Sequence, residues 1–356
     1  MTGSAFLSRL GIRLPIVQAP MAGISTPALA AAVSNAGGLG SLGIAAMSPE
    51  QAGATITETG RLTGAPFGVN VFCHAPARRD PKLEEEWLRY LSPSFKAFGE
   101  EPPSHLQLLY KSFHEDNEML SVLLDLRPAV VSFHFGLPTP EQIRALKEAG
   151  IVLLATATNL HEAHQISAAQ LDGIVAQGIE AGGHRGMFDP GNRDEGPGTM
   201  ALTRILVRNS SLPVIAAGGI MDGAGIAAAL SLGADAAQLG TAFVACPESA
   251  ADAAYREALL AGASARTVMT QAISGRPARG LANRFTELGE APSCPRMPDY
   301  PLPYFAGKAL HALAKRNGDS SFAAQWAGQG VSMTRAMPAS ELMSTLSGEL
   351  DAATHR

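Results

Sequence analysis

The chain has 356 residues, 46% hydrophobic and 17% charged, which is enough apolar material for either two domains or one large barrel with additions. A formal net charge of −5, a pI near 6.0 and the lack of any basic run argue against nucleic acid and anionic membrane as partners. Three scattered cysteines, Cys73, Cys246 and Cys294, without a CxxC pair, fit reduced thiols of a cytoplasmic protein rather than a disulfide frame or a zinc site.

From the N-terminus onward, Met1 to Leu10 lacks a basic segment followed by an apolar one, so no signal peptide is expected. The apolar runs are of strand length, so no membrane span is expected either. Strands are expected at 16–21, 39–44, 67–72, 129–135, 151–156, 173–177, 213–218 and 236–243. Several are apolar throughout, as parallel strands covered on both faces should be. Helix starts punctuate the intervals: Thr26-Pro27, Thr139-Pro140-Glu141 and Asp222-Gly223. Eight β/α repeats over about 250 residues match a TIM barrel in size, so the expected fold is an α/β (β/α)8 barrel.

Two additions to that barrel are expected. One is a helical insertion at about 75–127, with a charged helix around 81–91 and a second around 104–126. The other is a mostly helical, Ala-rich C-terminal region, giving a barrel over 1–247 and an extension over 248–356. Both are expected to cap the catalytic face, where additions to barrels gather. The residues from about Ser347 read as a frayed tail.

Some motifs are decoys. Gly38-Leu-Gly-Ser-Leu-Gly43 matches GxGxxG, but a helix precedes it and the glycines lie inside the strand, which is wrong for a dinucleotide turn. His161 and His164 are spaced i,i+3 on a solvated helix, and no metal site is expected. The run Glu84 to Glu86 reads as a solvated helix face.

Other segments carry chemistry. Pro213 to Ile220 ends a strand on Gly218-Gly219, and the next strand ends Gln238-Leu239-Gly240-Thr241. Barrels commonly bind phosphate in the loops after strands seven and eight, so these turns are the expected phosphate site. Asn70 is a polar residue within an apolar strand near its C-terminal end, where a ligand contact is expected. Gln177 sits likewise on strand six, pointing inward with Val175 and suiting a flavin's polar edge.

On strand four, Ser132 and His134 should face inward while Val131, Phe133 and Phe135 pack under the helices. His134 reads equally as a core residue or a catalytic one. His184, in Glu180-Ala-Gly-Gly-His-Arg-Gly186, has no packing reason to be there, and it can exchange a proton near neutral pH. In Asp299 to Leu310, Tyr304 and Lys308 share a helix face. With Tyr300 they could line an anion pocket, although spacing alone leans toward an ordinary amphipathic helix.

These segments, with Gln18 to Gly23, Ala31 to Gly40, Phe67 to Phe72 and Ser132 to Gly136, resemble the nitronate monooxygenases, formerly 2-nitropropane dioxygenases, over most of the chain. The two histidine segments and the Tyr300/Tyr304/Lys308 segment look like the class I branch. The resemblance implies FMN as cofactor, held by Asn70, Gln177, Gly182, Gly218, Gly219, Gln238, Leu239, Gly240 and Thr241, with Met21 near the ring. It implies His184 as catalytic residue and His134, Tyr110, Tyr300, Tyr304 and Lys308 as the substrate pocket. The implied reaction is oxidation of an alkyl nitronate, propionate 3-nitronate in particular, by O₂ to a carbonyl compound and nitrite, in a monomer or homodimer. The alternatives are an NAD(P)H-dependent flavin reductase of the same superfamily, acting on quinones or enoyl-acyl-carrier protein, and a flavin-storing or ligand-sensing barrel without turnover.

Overall fold

Eight short strands carry the fold: β1 (Ile16–Gln18), β2 (Gly40–Gly43), β3 (Phe67–Phe72), β4 (Val130–His134), β5 (Val152–Ala157), β6 (Gly173–Gln177), β7 (Val214–Ala217) and β8 (Ala236–Leu239). In the computed structural model, which describes residues 5–355, all neighbouring strands are parallel. The last gap closes through Leu39, whose N–H bonds Ile16 O at 3.0 Å and whose carbonyl accepts from Gln18 N at 2.9 Å. The sheet is therefore a (β/α)8 barrel, as its sequence pattern implied.

Strand alternation sorts the side chains. Val130, Leu154, Val175 and Ile215 fill the barrel, while Val131, Phe133, Ile174 and Ala176 pack outward against helices. The N-terminal helix Ala5–Leu10 inserts Phe6, Leu7 and Leu10 into the interior cluster, and Arg9 pairs with Asp172 at 2.6 Å. Gly173 makes room for this plug, since a Cβ there would lie 3.2 Å from the Phe6 ring. The barrel helices begin where expected. Thr26, Ser48, Thr139 and Asp222 each cap a first-turn N–H, and proline follows the cap in the first three.

The glycines of the GxGxxG decoy serve packing. A Cβ on Gly40 would sit 1.9 Å from Ala30 O, and one on Gly43 2.5 Å from Ala22 N.

Several expectations change. α-Helix forms over Pro81–Lys96 and Asn117–Leu126, with one 3-10 turn at Phe113–Glu115; 100–112 is irregular apart from bends, with Pro102-Pro103 near its start and the next side-chain cap at Asp116. Glu84 is buried rather than solvated, because Arg79 clasps its carboxylate with two 2.7 Å bonds. The region after β8 also contains strand: Thr267–Thr270 and Ala278–Leu281 pair antiparallel, and the latter pairs with Gly183–His184. The supposed tail is the end of helix Ala339–Thr354, which buries Leu342, Leu346 and Leu350 with residues of the helices Pro27–Asn35 and Gly223–Ser231. That helix completes the barrel's outer ring, held by an Arg335–Glu349 pair at 2.6 Å. Among the described residues no helix is long and apolar enough to cross a membrane.

Candidate active site

The C-terminal ends of the strands open into a cavity of about 430 Å³, within the range of pockets that hold a cofactor-sized ligand. One wall is backbone. β7 ends on Gly218 (φ +130°) and Gly219 (φ +69°), and a Cβ on Gly218 would lie 2.6 Å from Thr199 Oγ1. β8 stops at Leu239, earlier than expected, because Thr241 opens the four-residue helix Thr241–Val244. Thr241 Oγ1 accepts from Gly328 N at 2.9 Å, and a Cβ on Gly182 would collide with Ala327 and Gly328. Bare backbone of this kind offers N–H groups to an anionic ligand.

The barrel floor supplies amides. Asn70 donates both Nδ2 hydrogens to Ser132, at 3.0 Å to its carbonyl and 2.9 Å to its hydroxyl, which leaves its carbonyl oxygen free as an acceptor. Gln177 spends its amide on the neighbouring loop: Nε2 donates to His184 O at 2.9 Å and Oε1 accepts from Gly186 N at 2.7 Å. Its first task is thus to hold the histidine loop.

The opposite wall is aromatic and imidazole. His184 lies on the two-residue strand paired with Ala278, and its Nε2 is 2.9 Å from Ser274 Oγ. Trp326, Phe135, Tyr300 and Tyr304 surround its ring with centroids 5.1–5.9 Å away. Burial, then the nearby His134 and Arg276, lower its pKa to about 3, so at neutral pH it is uncharged and able to accept a proton.

His134 lines the cavity, but both its nitrogens are engaged, Nδ1 with Thr156 Oγ1 at 3.0 Å and Nε2 donating to His184 O at 3.1 Å. Burial chiefly lowers its pKa to about 4. Phe135 departs from expectation. A positive φ of 71° ends the strand's alternation and turns the ring over the barrel mouth against Phe72, His134, His184 and Tyr300.

Behind this wall lies Arg276, 3% exposed, with its guanidinium 4.4 Å from the Phe135 ring centre. Its Nη1 donates to Met187 O at 2.7 Å, and no described carboxylate comes within ion-pairing distance. Burial lowers its pKa to about 10, still charged at neutral pH. On the rim, Lys308 Nζ lies 4.9 Å from the Tyr110 ring and 6.0 Å from that of Tyr304. No carboxylate side chain lines the cavity, and Lys308 is its one charged lining residue among those described. Burial raises the pKa of Tyr300 and Tyr304, so both keep their phenolic protons.

The sequence profile of the nitronate monooxygenase family matches residues 4–349 of this chain. The chain belongs to the nitronate monooxygenase family. It is 59% identical over 346 residues to the nitronate monooxygenase of Paraburkholderia phytofirmans, covering 97% of this chain and 94% of that one. It is 56% identical over 345 residues to that of Pseudomonas aeruginosa, covering 97% and 98%. In structure it is similar to the nitroalkane oxidase of Streptomyces ansochromogenes, with a TM-score of 0.90, 41% identity and 99% of each chain covered. This family membership makes the protein an oxidoreductase and the cavity its candidate catalytic centre.

Of the residues singled out in sequence, Met21, Asn70, Gln177, Gly182, Gly218, Gly219, Gln238, Gly240 and Thr241 line this one cavity. So do His184, His134, Tyr110, Tyr300, Tyr304 and Lys308. Leu239 stands apart: its side chain packs in the helix layer and its carbonyl accepts from Ala19 N at 2.8 Å. Sequence reasoning missed Tyr255 and Trp326 in the lining, and Ser274 and Arg276 behind it. The run Ser274-Gly-Arg-Pro-Ala-Arg-Gly280, a second glycine-punctuated segment, was the available signal.

Proposed function

We propose that the protein binds FMN in this cavity and uses O₂ to oxidise alkyl nitronates, propionate 3-nitronate among them, to a carbonyl compound and nitrite. The observation that carries the reading is electrostatic. A cavity of cofactor size has no carboxylate among the described residues of its lining, a cation on its rim in Lys308 and a second cation behind its wall in Arg276. Such a field favours an anion, and a nitronate is one.

The residues present fit the cofactor. Gly218, Gly219 and Gly240 leave side-chain-free backbone where a phosphate needs N–H donors, and the free carbonyl of Asn70 offers an acceptor to a polar ring edge. When bound, the flavin supplies the electron acceptor and the centre at which O₂ reacts.

The chain's own residues do the rest. Lys308, Tyr300 and Tyr304 hold the anionic substrate, and because burial keeps the phenols protonated each has a hydrogen to donate. Trp326 and Phe135 keep water from the histidine face. With a neutral nitroalkane as substrate, uncharged His184 accepts the α-proton, a step worth roughly 10²–10⁴ in rate. Three unpaired cysteines support a cytoplasmic setting.

The test is anaerobic. The purified yellow protein is mixed with propionate 3-nitronate or with NADPH in the absence of oxygen, and its flavin absorbance is followed. Nitronate is expected to change the spectrum, and admitting O₂ should restore it and release nitrite. A flavin that ignores nitronate and is bleached by NADPH overturns the reading in favour of a nicotinamide-dependent reductase.

A further inference from the structure

Among the described residues the ring of the base assigned to this site has one hydrogen-bond partner, Ser274, which is not part of the cavity lining. Ser274 is fully buried, and its Oγ makes three contacts: His184 Nε2 at 2.9 Å, Arg276 N at 3.3 Å and Arg276 O at 3.1 Å. The same short segment pins the histidine's backbone, through the Ala278–His184 pairing and an Arg185 N to Pro277 O bond of 2.8 Å. The His184 carbonyl is fixed from the other side by Gln177 and His134. Both the ring and the main chain of His184 are therefore held before substrate arrives.

A serine hydroxyl has one hydrogen to give. If Ser274 donates to Arg276 O, its oxygen accepts from Arg276 N–H and from a protonated His184 Nε2, and all four atoms of these contacts are satisfied. If it donates to His184 Nε2 instead, the Arg276 carbonyl loses the one hydrogen bond it makes among the described residues, and its residue is buried from bulk solvent. The first arrangement is favoured. It puts the imidazole hydrogen on Nε2 and leaves Nδ1, which makes no hydrogen bond among the described residues, as the bare nitrogen of a residue that lines the cavity.

We propose that Ser274 is a positioning residue that fixes His184 in the Nε2–H tautomer, so that Nδ1 takes the α-proton of neutral nitroalkanes. In that step the substrate C–H bond breaks and its electron pair moves into the C=N bond of the nitronate, placing the negative charge on the nitro oxygens. The proton rests on Nδ1, and the imidazolium is stabilised through its Nε2–H bond to Ser274 Oγ. A preformed nitronate needs no such step and makes no demand on the tautomer. The inference rests on His184 being the base of the proposed function.

The experiment uses the flavin-loaded full chain. In ¹⁵N-histidine NMR, with the His184 signals assigned by their loss in His184→Asn, Nε2 should be protonated and Nδ1 bare. Ser274→Ala should lower kcat/KM for nitroethane by roughly 10- to 100-fold, the range seen when a partner that fixes the tautomer of a metal-bound imidazole is removed. Turnover of preformed nitronate should fall by no more than about twofold, and Ser274→Thr, which restores the hydroxyl, should recover most of the nitroethane rate. A proton found on Nδ1 overturns the inference even if no Ser274 variant folds. So does a nitroethane rate within about twofold in Ser274→Ala, or an equal loss with both substrates. If His184→Asn itself keeps its nitroethane turnover, the base assignment fails instead.

Discussion

The two walls of the cavity are built by opposite means. The glycine wall is made of backbone from turns at the ends of adjacent strands, β7 and β8, and its residues sit together in sequence as Gly218-Gly219 and Gly240-Thr241. The imidazole wall is made of side chains that converge from distant segments: His134 on β4, His184 after β6, Tyr300, Tyr304 and Lys308 beyond residue 299. Its supports, Ser274 and Arg276, lie a further step out. A wall of backbone tolerates no added atom, whereas a wall of side chains depends on what holds each one.

That contrast predicts the largest effect for the smallest addition. Gly218→Val places a branched side chain at φ +130°, with a Cβ 2.6 Å from Thr199 Oγ1 and the cavity on its other side. Flavin per mole of purified protein, read by absorbance, should fall more than about tenfold. Gly183→Ala is the matched control. It also has a positive φ, of 75°, but meets nothing within 4 Å, so it should cost only backbone strain of roughly 1 kcal/mol and keep its flavin. Full flavin in Gly218→Val would show that the glycine wall is not the cradle.

The smaller effect lies across the cavity. Lys308→Met removes the one charged group among the described lining residues and should raise KM for a nitronate about tenfold at low ionic strength, with kcat little changed. Lys308 is exposed, so added salt should shrink the difference between variant and parent. KM for uncharged nitroethane should stay within about twofold. An equal rise for both substrates would mean that Lys308 packs against Tyr110 rather than holding charge.

The same contrast explains what could be read from the sequence. The eight strands were visible because parallel strands covered on both faces are short apolar runs bounded by glycine, and the glycine wall was visible because strain and close approach demand glycine itself. The imidazole wall was half visible, as a histidine in a glycine loop invites explanation. What stayed hidden was whatever depends on contacts distant in sequence. Ser274 looks like any serine until His184 is seen 2.9 Å away, and Arg276 looks like a surface arginine until Phe135 covers it. Phe135 itself follows the outward period and breaks it through a single positive φ. The terminal helix looked like a tail because its apolar stripe has partners only after the ring of helices closes.

The smallest effect concerns the titration of the imidazole wall. His184, His134 and His74, which packs edge-on against Tyr300 at 5.0 Å, have pKa values lowered to about 3, 4 and 4, with burial the first cause in each. His311, lowered by burial and by Lys315, acts in the same direction. Unfolded, each would titrate near 6.5. Between that value and the folded ones the unfolded chain binds protons that the folded chain refuses, so stability falls as pH falls through this window. Each such proton is worth at most about 1.4 kcal/mol per pH unit.

The structural carboxylates with lowered pKa values, Asp194 and Glu349 among them, act chiefly below their unfolded values of 3.8 and 4.5, so most of the change between pH 6.5 and 5 belongs to the histidines. The denaturant midpoint should be flat from pH 8 to 7 and then decline steadily toward pH 5. His74→Phe keeps an edge-on ring against Tyr300 and removes one of the protons, so its decline should be shallower by about one proton's worth. A slope identical to the parent's would mean that His74 does not titrate on unfolding, and that the acid limit belongs to His134, His184 and His311.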